Sequence, residues 1–183
     1  MLTGQLLELR PLRDEDFPAL FAVASDPLIW EQHPQPERYT EAVFREFFRG
    51  ALESGGAFLA IDRKDGRVIG SSRFHGYHEE EGEIEIGWTF LARSHWGGMY
   101  NREMKRLMLD HAFRFVDRVI FLVGPNNLRS QKAMEKIGGV SLGLRPDPQR
   151  GEPVMVYVIT RGGPEGLFPR RPGPPRRDVR STD

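Results

Sequence analysis

The sequence predicts an α+β (mixed α/β) fold, and three of its features carry that prediction. At 183 residues the chain has the length of one domain with a substantial core. The turn signal Lys-Asp-Gly at 64–66 separates two apolar segments, which is typical of an antiparallel hairpin. Farther along, an alternating strand, a helical segment and a second apolar strand follow one another, which indicates a parallel crossover.

The first part of the chain predicts one strand and two amphipathic helices. The strand is LLELRPL, 6–12. Asp14 is placed to cap a helix whose apolar residues share one face over 17–24. After a proline-rich loop, Thr40 is placed to cap a second helix with an apolar face over 43–52. Each helix would bury one face against the sheet.

The middle of the chain predicts three consecutive strands. They are AFLAIDR (57–63), RVIGSSRFHGY (67–77) and GEIEIGWTFL (82–91). Polar and apolar residues alternate strictly in the third of these strands. The alternation places Ile86, Trp88 and Phe90 on one face of the strand, with Glu85 and Gly87 on the other.

The last part of the chain predicts the crossover and two closing strands. A helical stripe begins at Met104, and the apolar run RVIFLVG, 118–124, is typical of a strand buried on both faces. A short helix that begins after Asn127 and two further strands complete the pattern, VSLGL (140–144) and PVMVYVIT (153–160). In a crossover of this kind the helix N-terminus lies beside the carboxyl end of the preceding strand, which is where open sheets bind ligands.

Composition limits the classes of partner. Basic and acidic residues number 26 each, so the charge balance favours neither nucleic acid nor an anionic membrane. No stretch approaches the roughly 20 apolar residues that span a bilayer, and no signal-peptide pattern opens the sequence. The chain has no cysteine, which fits a reducing compartment. We expect a cytoplasmic protein without a metal centre, because no histidine pair and carboxylate have metal-site spacing.

The composition changes near the end of the chain. Residues 1–161 form the predicted domain, and residues 162–183 are rich in proline, glycine and arginine, with few apolar side chains. Such a segment gains too little from burial to offset its ordering entropy, so we expect a tail. Leu167 and Phe168 are the residues through which it could lie against the body or against a second copy in a homodimer.

The stretch SHWGGMYNREMK, 94–105, places two glycines directly before a helix. One interpretation is a plain turn. The other is an anion-binding loop, because backbone amides at a helix N-terminus point outward with the positive end of the helix dipole behind them. The amides concerned belong to a continuous run: Trp96, Gly97, Gly98, Met99, Tyr100 and Asn101.

Three segments, EIGWTFL, WGGMYNREMKRLMLDHAF and NNLRSQKAMEKIGG, resemble the GCN5-related N-acetyltransferase (GNAT) superfamily. Within it they are most similar to the RimJ/RimL-type branch, over about Leu6 to Thr160. The resemblance implies a GNAT fold with six or seven mostly antiparallel strands, whose fourth and fifth strands are parallel and splay apart to admit the pantetheine arm of acetyl-CoA. It also implies cofactor contacts from the 96–101 loop and from four further residues: Phe90, Leu91, Asn127 and Ser130.

Two positions depart from the pattern that the family usually shows. Met99 stands where a second glycine is common, and Met134 stands where the family often has a tyrosine that protonates the leaving thiolate. Ser130 or a water could take the place of that tyrosine, or the thiolate could leave unaided, since thiols of pKa about 8.5 are acceptable leaving groups. Asn127 also has a purely structural interpretation as a helix N-cap.

Acetyl transfer to an amine requires a base, and Glu85 is the candidate, acting directly or through a water. Its structural alternative is a surface carboxylate or an ion-pair partner of Arg73. The resemblance places the acceptor site near four aromatic residues, each of which could instead be structural: Trp30, His33, His75 and Trp88. The leading hypothesis is an acetyl-CoA-dependent N-acetyltransferase acting on a peptide N-terminus or a small amine. The alternative is a non-catalytic acyl-CoA-binding sensor of the same fold.

Overall fold

The computed structural model describes residues 1–147 and 151–163, which form four α-helices and one mixed sheet. The strands are Leu2–Thr3 (β1), Leu7–Pro11 (β2), Ala57–Asp62 (β3), Val68–His78 (β4), Glu83–Leu91 (β5), Arg118–Val123 (β6), Val140–Pro146 (β7) and Pro153–Thr160 (β8). The helices are Phe17–Ala24 (α1), Glu41–Glu53 (α2), Met99–Ala112 (α3) and Leu128–Lys136 (α4). The predicted tail, with Leu167 and Phe168, lies beyond the described residues apart from its first two positions.

The sheet has the strand order β1-β2-β3-β4-β5-β6-β8-β7. All neighbours are antiparallel except β5 and β6, which are parallel. The mixed fold, the four helices and the parallel pair are therefore confirmed, the predicted fourth and fifth strands being β5 and β6. The predicted strand number of six or seven is wrong, because the sheet has 8 strands. The extra strand, β1, has two residues, which is too short to show any hydrophobic periodicity.

The parallel pair is short and ends inside the sheet. Its ladder joins Glu83 to Arg118, Ile84 to Val119 and Glu85 to Ile120. Both strands continue beyond the last of these pairs, β5 to Leu91 and β6 to Val123, but they no longer pair with each other. The two strands therefore part at Glu85 and leave an opening at the carboxyl end of β5.

Helices cover both faces of the sheet around that opening. One apolar core contains Met104, Met108 and Leu109 of α3 together with Ile86 and Phe121. The second core joins α1 and α2 to the opposite face, where it holds Phe44, Phe48, Trp30 and Phe90. Because α3 begins eight positions after β5 ends, its N-terminus lies near the opening, at the edge where α/β sheets bind ligands.

A β-bulge in β5 overturns the predicted alternation. Ile86 packs in the core on the α3 face, whereas Phe90, four positions later, packs in the core on the α1/α2 face. The register against β4 shifts between these positions, and Trp88 has a φ of 51°. One extra residue in β5 reverses the faces of the residues that follow it. Ile86 and Phe90 therefore do not share a face, contrary to the strict alternation that the sequence suggests.

Candidate functional site

The glycine loop leaves open space in front of the α3 N-terminus. Gly97 and Gly98 have φ values of 99° and 133°, which glycine adopts far more readily than other residues. No atom lies within 4 Å of the position that a Cβ would take at either residue. The first hydrogen bond of the helix runs from the Arg102 amide to the Gly98 carbonyl at 3.1 Å, so the preceding amides have no helical acceptor. The arrangement suits an anion.

Side chains from the loop and from α3 anchor it to β3. Asp62 at the end of β3 lies 3.1 Å from Nε2 of His95 and accepts a hydrogen bond of 3.1 Å from the Tyr100 hydroxyl. Nδ1 of His95 in turn lies 2.9 Å from the Ser94 hydroxyl. Tyr100, which is predicted to contact the cofactor, thus uses its hydroxyl for a structural hydrogen bond to Asp62. Its backbone amide belongs to the first turn of α3.

Trp96 connects the loop to α4. Its indole donates a hydrogen bond of 2.9 Å to the Leu91 carbonyl, and the guanidinium of Arg129 lies 4.0 Å from the centre of its ring system. Arg129 also donates to the Ile29 carbonyl at 2.9 Å, and burial lowers its pKa. Sequence reasoning missed Arg129, although it directly precedes Ser130 in the motif. The stack fixes one cation beside the loop.

The start of α4 has the geometry of an ordinary N-cap. Asn127 is buried, and its side-chain oxygen accepts a hydrogen bond of 3.1 Å from the Ser130 amide. Met134, one turn farther, is buried in the core beside α3. Met99 is 71% exposed at the start of α3, and Asn101 is half-buried. The cofactor contacts predicted for Asn127, Ser130, Met99 and Asn101 stay predictions.

Glu85 is buried, with 8% of its surface exposed, on the face of β5 opposite α3. One carboxylate oxygen lies 2.8 Å from where a Cβ on Gly87 would stand, so a side chain at that position would displace the carboxylate. The guanidinium of Arg73 attracts this carboxylate, stacks 4.6 Å from the centre of the Trp88 ring system and donates to the Phe47 carbonyl. Burial lowers the pKa of Arg73 to about 10, and Glu85 opposes that change. The structural alternative for Glu85, an ion pair with Arg73, therefore has support.

Lys105, which the sequence suggests only as an exposed charge beside the glycine loop, is instead buried at this site. It is 2% exposed on α3, and its ammonium group donates to the Thr89 hydroxyl of β5. Burial lowers its pKa to about 7, while the charge of Glu85 acts in the opposite direction. A signal was present in the sequence: Lys105 lies on the apolar stripe of the helix, three and four positions before Met108 and Leu109.

The four predicted acceptor residues fall into two pairs on the α1/α2 face. The rings of His75 and Trp88 meet edge-on at 5.1 Å, and His75 stands opposite Glu85 in the β4–β5 ladder. Trp30 and His33 form the other pair at 5.6 Å. Trp30 is 2% exposed and donates from its indole to the Ala24 carbonyl, so its place is in the core.

His33 makes polar contacts through both ring nitrogens. Its Nδ1 accepts a hydrogen bond of 3.0 Å from the Gln35 amide, and its Nε2 lies 3.0 Å from the guanidinium of Arg38. Roles in acceptor binding for His33 and the other three residues stay predictions. Phe90, predicted to touch the cofactor, is buried 5.0 Å from Trp30, measured between ring centres, and Leu91 is buried on the other face.

Residues 1–147 and 151–163 contain no helix that is long and apolar enough to span a membrane. They also contain no group of three or more histidine, aspartate or glutamate side chains arranged to hold a metal ion.

Comparison with known proteins identifies the family. Residues 7–140 match the family model described as "Acetyltransferase (GNAT) domain". The chain is 29% identical over 107 residues to an uncharacterized N-acetyltransferase, p20, of Bacillus licheniformis, a match that covers 56% of this chain and 60% of that protein. The chain thus spans less than two thirds of the length of this relative.

Solved structures share the fold. A GNAT-family acetyltransferase from Bacillus anthracis superposes with a TM-score of 0.71 at 24% identity, covering 87% of this chain and 97% of that one. Mycobacterium smegmatis RimJ, solved in complex with CoA-disulfide, gives a TM-score of 0.63 at 20% identity, covering 84% and 81%. The family match extends over most of the chain and includes β2 to α4. The chain belongs to the GNAT acetyltransferase domain family.

Proposed function

We propose that this protein is an acetyl-CoA-dependent N-acetyltransferase that moves an acetyl group to a primary amine by direct attack on the thioester. The observation that carries the proposal is the parting of β5 and β6 beside a glycine-led helix N-terminus. Family membership supports acetyl transfer, and this opening gives the extended arm of coenzyme A a place to enter the sheet.

The residues at the opening fit coenzyme A. The free space around Gly97 and Gly98 admits a bulky anion, and the first amides of α3 offer donors to the pyrophosphate. Arg129 adds a positive charge next to Trp96. Beyond the loop, the edge of β5 that faces β6 has no ladder partner after Glu85, and its backbone groups can pair with the amide-rich pantetheine arm. The bound cosubstrate supplies the activated acetyl group.

Glu85 is the proposed base on the acceptor side. Its carboxylate accepts a proton from the attacking amine, directly or through one water, and the two buried cations Arg73 and Lys105 attract its charged form. The bulge at Trp88 turns a bulky ring beside His75 towards the same face, where it can border the amine.

The acceptor class is proposed as a peptide N-terminus or a small-molecule amine, in line with the RimJ/RimL-type resemblance. Nε of Arg73 is buried and has no hydrogen-bond partner among the described residues. This atom is enclosed by protein, so an acceptor could reach it only after a rearrangement, and both acceptor classes stay open.

One experiment tests catalysis and acceptor class together. Purified protein is incubated with acetyl-CoA and a panel of peptides and small amines, and released thiol is followed with a chromogenic disulfide. The chain has no cysteine, so the protein itself gives no background. We expect thiol release with at least one amine and a higher Tm with coenzyme A but not with NAD. A rise in Tm without turnover on any amine would favour the acyl-CoA-binding sensor, an alternative that the buried Met134 supports. No change in Tm would contradict both.

A further inference from the structure

The ammonium group of Lys105 lies where β5 and β6 part. It donates to the hydroxyl of Thr89 on β5, lies 3.5 Å from the hydroxyl of Ser72 on β4, and stands 5.4 Å from the centre of the Phe121 ring on β6. Thr89 and Phe121 both lie beyond Glu85 and Ile120, the last pair of the parallel ladder. A helix residue thus places a cation on the α3 face of the sheet, beside the point where the two strands separate.

We propose that Lys105 protonates the sulfur of coenzyme A as the thioester bond breaks. This inference rests on the proposed function, since it assigns a role within acetyl transfer. Lys105 would take the role that a tyrosine at position 134 often has in the family, since the thioether of Met134 carries no proton to donate.

The proton balance of the step is complete. The amine nitrogen bonds to the acetyl carbon and loses one proton to Glu85, while the carbon–sulfur bond breaks and its electron pair stays on sulfur. The Lys105 ammonium gives one proton to that sulfur and becomes a neutral amine. The proton held by Glu85 equals the one that Lys105 has lost, so transfer through water restores both groups.

The surroundings of Lys105 suit an acid that must also recover its proton near neutral pH. Burial lowers its pKa to about 7, against about 8.5 for an ordinary thiol. Glu85 of β5 is the charged group that acts on it, and it raises the pKa. β4 contributes the neutral Ser72, and on β8 Tyr157 stands opposite Phe121, with a pKa that burial raises. Both neighbours therefore stay uncharged.

The competing interpretation is purely structural. Lys105 bridges Thr89 and Ser72, whose hydroxyls also lie 2.8 Å from each other, so it could serve only to fix the bulge in β5. A structural lysine would affect stability. It would leave the ionisation of a bound thiol unchanged.

The decisive measurement is the pKa of the thiol of coenzyme A bound to the protein, followed by the ultraviolet absorbance of the thiolate. Because the chain has no cysteine, the thiolate signal comes from coenzyme A alone. We expect the thiolate signal to appear at lower pH than for free coenzyme A, because the thiol and the Lys105 ammonium share one proton and titrate as a coupled pair. Lys105→Met should abolish this shift, and Lys64→Met, at an exposed turn lysine, should retain it.

A second measurement uses the unmodified protein, in case Lys105→Met does not fold. The chain contains four lysines, Lys64, Lys105, Lys132 and Lys136, so ¹³C NMR of the labelled lysine side chains resolves one signal for each. Coenzyme A should move the titration of the lowest-titrating lysine. Desulfo-coenzyme A, which lacks the sulfur, should bind without moving it.

The outcomes separate this inference from the proposed function. If coenzyme A binds and amines are acetylated, but Lys105→Met neither shifts the thiol pKa nor lowers kcat by about 10²-fold, Lys105 is structural and the proposed function stands. Equal effects of coenzyme A and desulfo-coenzyme A on the lysine titration would also overturn the inference. If coenzyme A does not bind, both fail.

Discussion

Glu85 and Glu83 allow the proposed base to be tested with the same substitution at two neighbouring positions. Glu85→Gln should lower kcat by roughly 10² or more and leave the Tm increase with coenzyme A intact, because the amide cannot accept the proton. Glu83 pairs with Arg118 at 3.1 Å, so Glu83→Gln should keep the parent kcat. Steady-state kinetics of the three proteins measures the difference. Equal kcat for Glu85→Gln and the parent would assign the base to another group.

Lys105 makes a separate prediction about stability and pH. Its pKa is about 7 in the folded protein and about 10.5 when unfolded, so between these values the unfolded chain binds more protons. Stability from this site therefore rises with pH over that range. Lys105→Met removes the titration, so any stability it gains over the parent should shrink as pH rises from 7 to 10. Urea unfolding at several pH values measures this, with Lys64→Met as the control. A difference independent of pH would show that Lys105 is not buried as described.

Two roles of Asn127 can be tested separately: helix capping by its side-chain oxygen and cofactor binding by its amide NH₂. Asn127→Ala should cost about 1 kcal/mol of stability through the lost hydrogen bond to Ser130, whereas Asn127→Asp keeps a capping oxygen. If the amide NH₂ contacts coenzyme A, both variants should weaken its binding, measured by calorimetry. Normal binding by Asn127→Asp would leave only the structural role.

Some residues of the candidate site could be predicted from the sequence, and others could not. Glu85 follows from its place on the polar face of an alternating strand. Gly98 follows from a glycine pair before a helical stripe. Arg129 and Lys105 are not evident in this way, because a cation on a helix is usually solvated and only the folded contacts show what it touches.

At the scale of elements, the start of α3 makes the next prediction. Gly98→Ala and Gly66→Ala each place a methyl group at positive φ and in open space, and Gly98→Ala should lose more stability, because its φ of 133° is farther from the left-handed region than the 74° of Gly66. Only Gly98 lies at the proposed pyrophosphate site. Coenzyme A at 100 times its Kd would add about 2.7 kcal/mol to the parent. Thermal unfolding should show that Gly98→Ala loses much of this gain and Gly66→Ala keeps it. An equal response in both variants would make the loop a plain turn.

β5 shows where periodicity fails as a guide. The alternation up to Ile86 describes the structure correctly, and the residues after Trp88 face the reverse way. The sequence pattern does not reveal the bulge, because both faces of the sheet are covered by apolar cores and Trp88 and Phe90 can pack on either one. The bulge is determined by packing against both cores, which no local pattern encodes.

At the scale of the molecule, the domain boundary can be tested with two truncations. The backbone amide of Arg161 donates to the Asp117 carbonyl at 2.8 Å, and its side chain pairs with Asp117. Removal of residues 164–183 should therefore leave Tm unchanged, whereas removal of residues 161–183 should lower it. Calorimetry of both forms decides. A lower Tm or altered oligomeric state for the longer form would show that Leu167 and Phe168 pack against the domain or a second copy.

The global fold was more predictable than its details. The β5–α3–β6 crossover is predicted from a strand, a helix and a second strand that is apolar on both faces. Few alternatives remain, because parallel neighbours need such a connection. Cytoplasmic location and a homodimer stay predictions, since neither can be inferred from the periodicity of the sequence or from the packing of the chain.

The short ladder between β5 and β6 divides the sheet into two antiparallel halves, β1 to β5 and β6 to β8. Three residue pairs join them, compared with six between β6 and β8. A long ligand bound between β5 and β6 would contact both halves of the sheet and reduce their motion relative to each other. Amide hydrogen exchange would then slow on both sides of this ladder, including in β8, which β6 separates from the ligand.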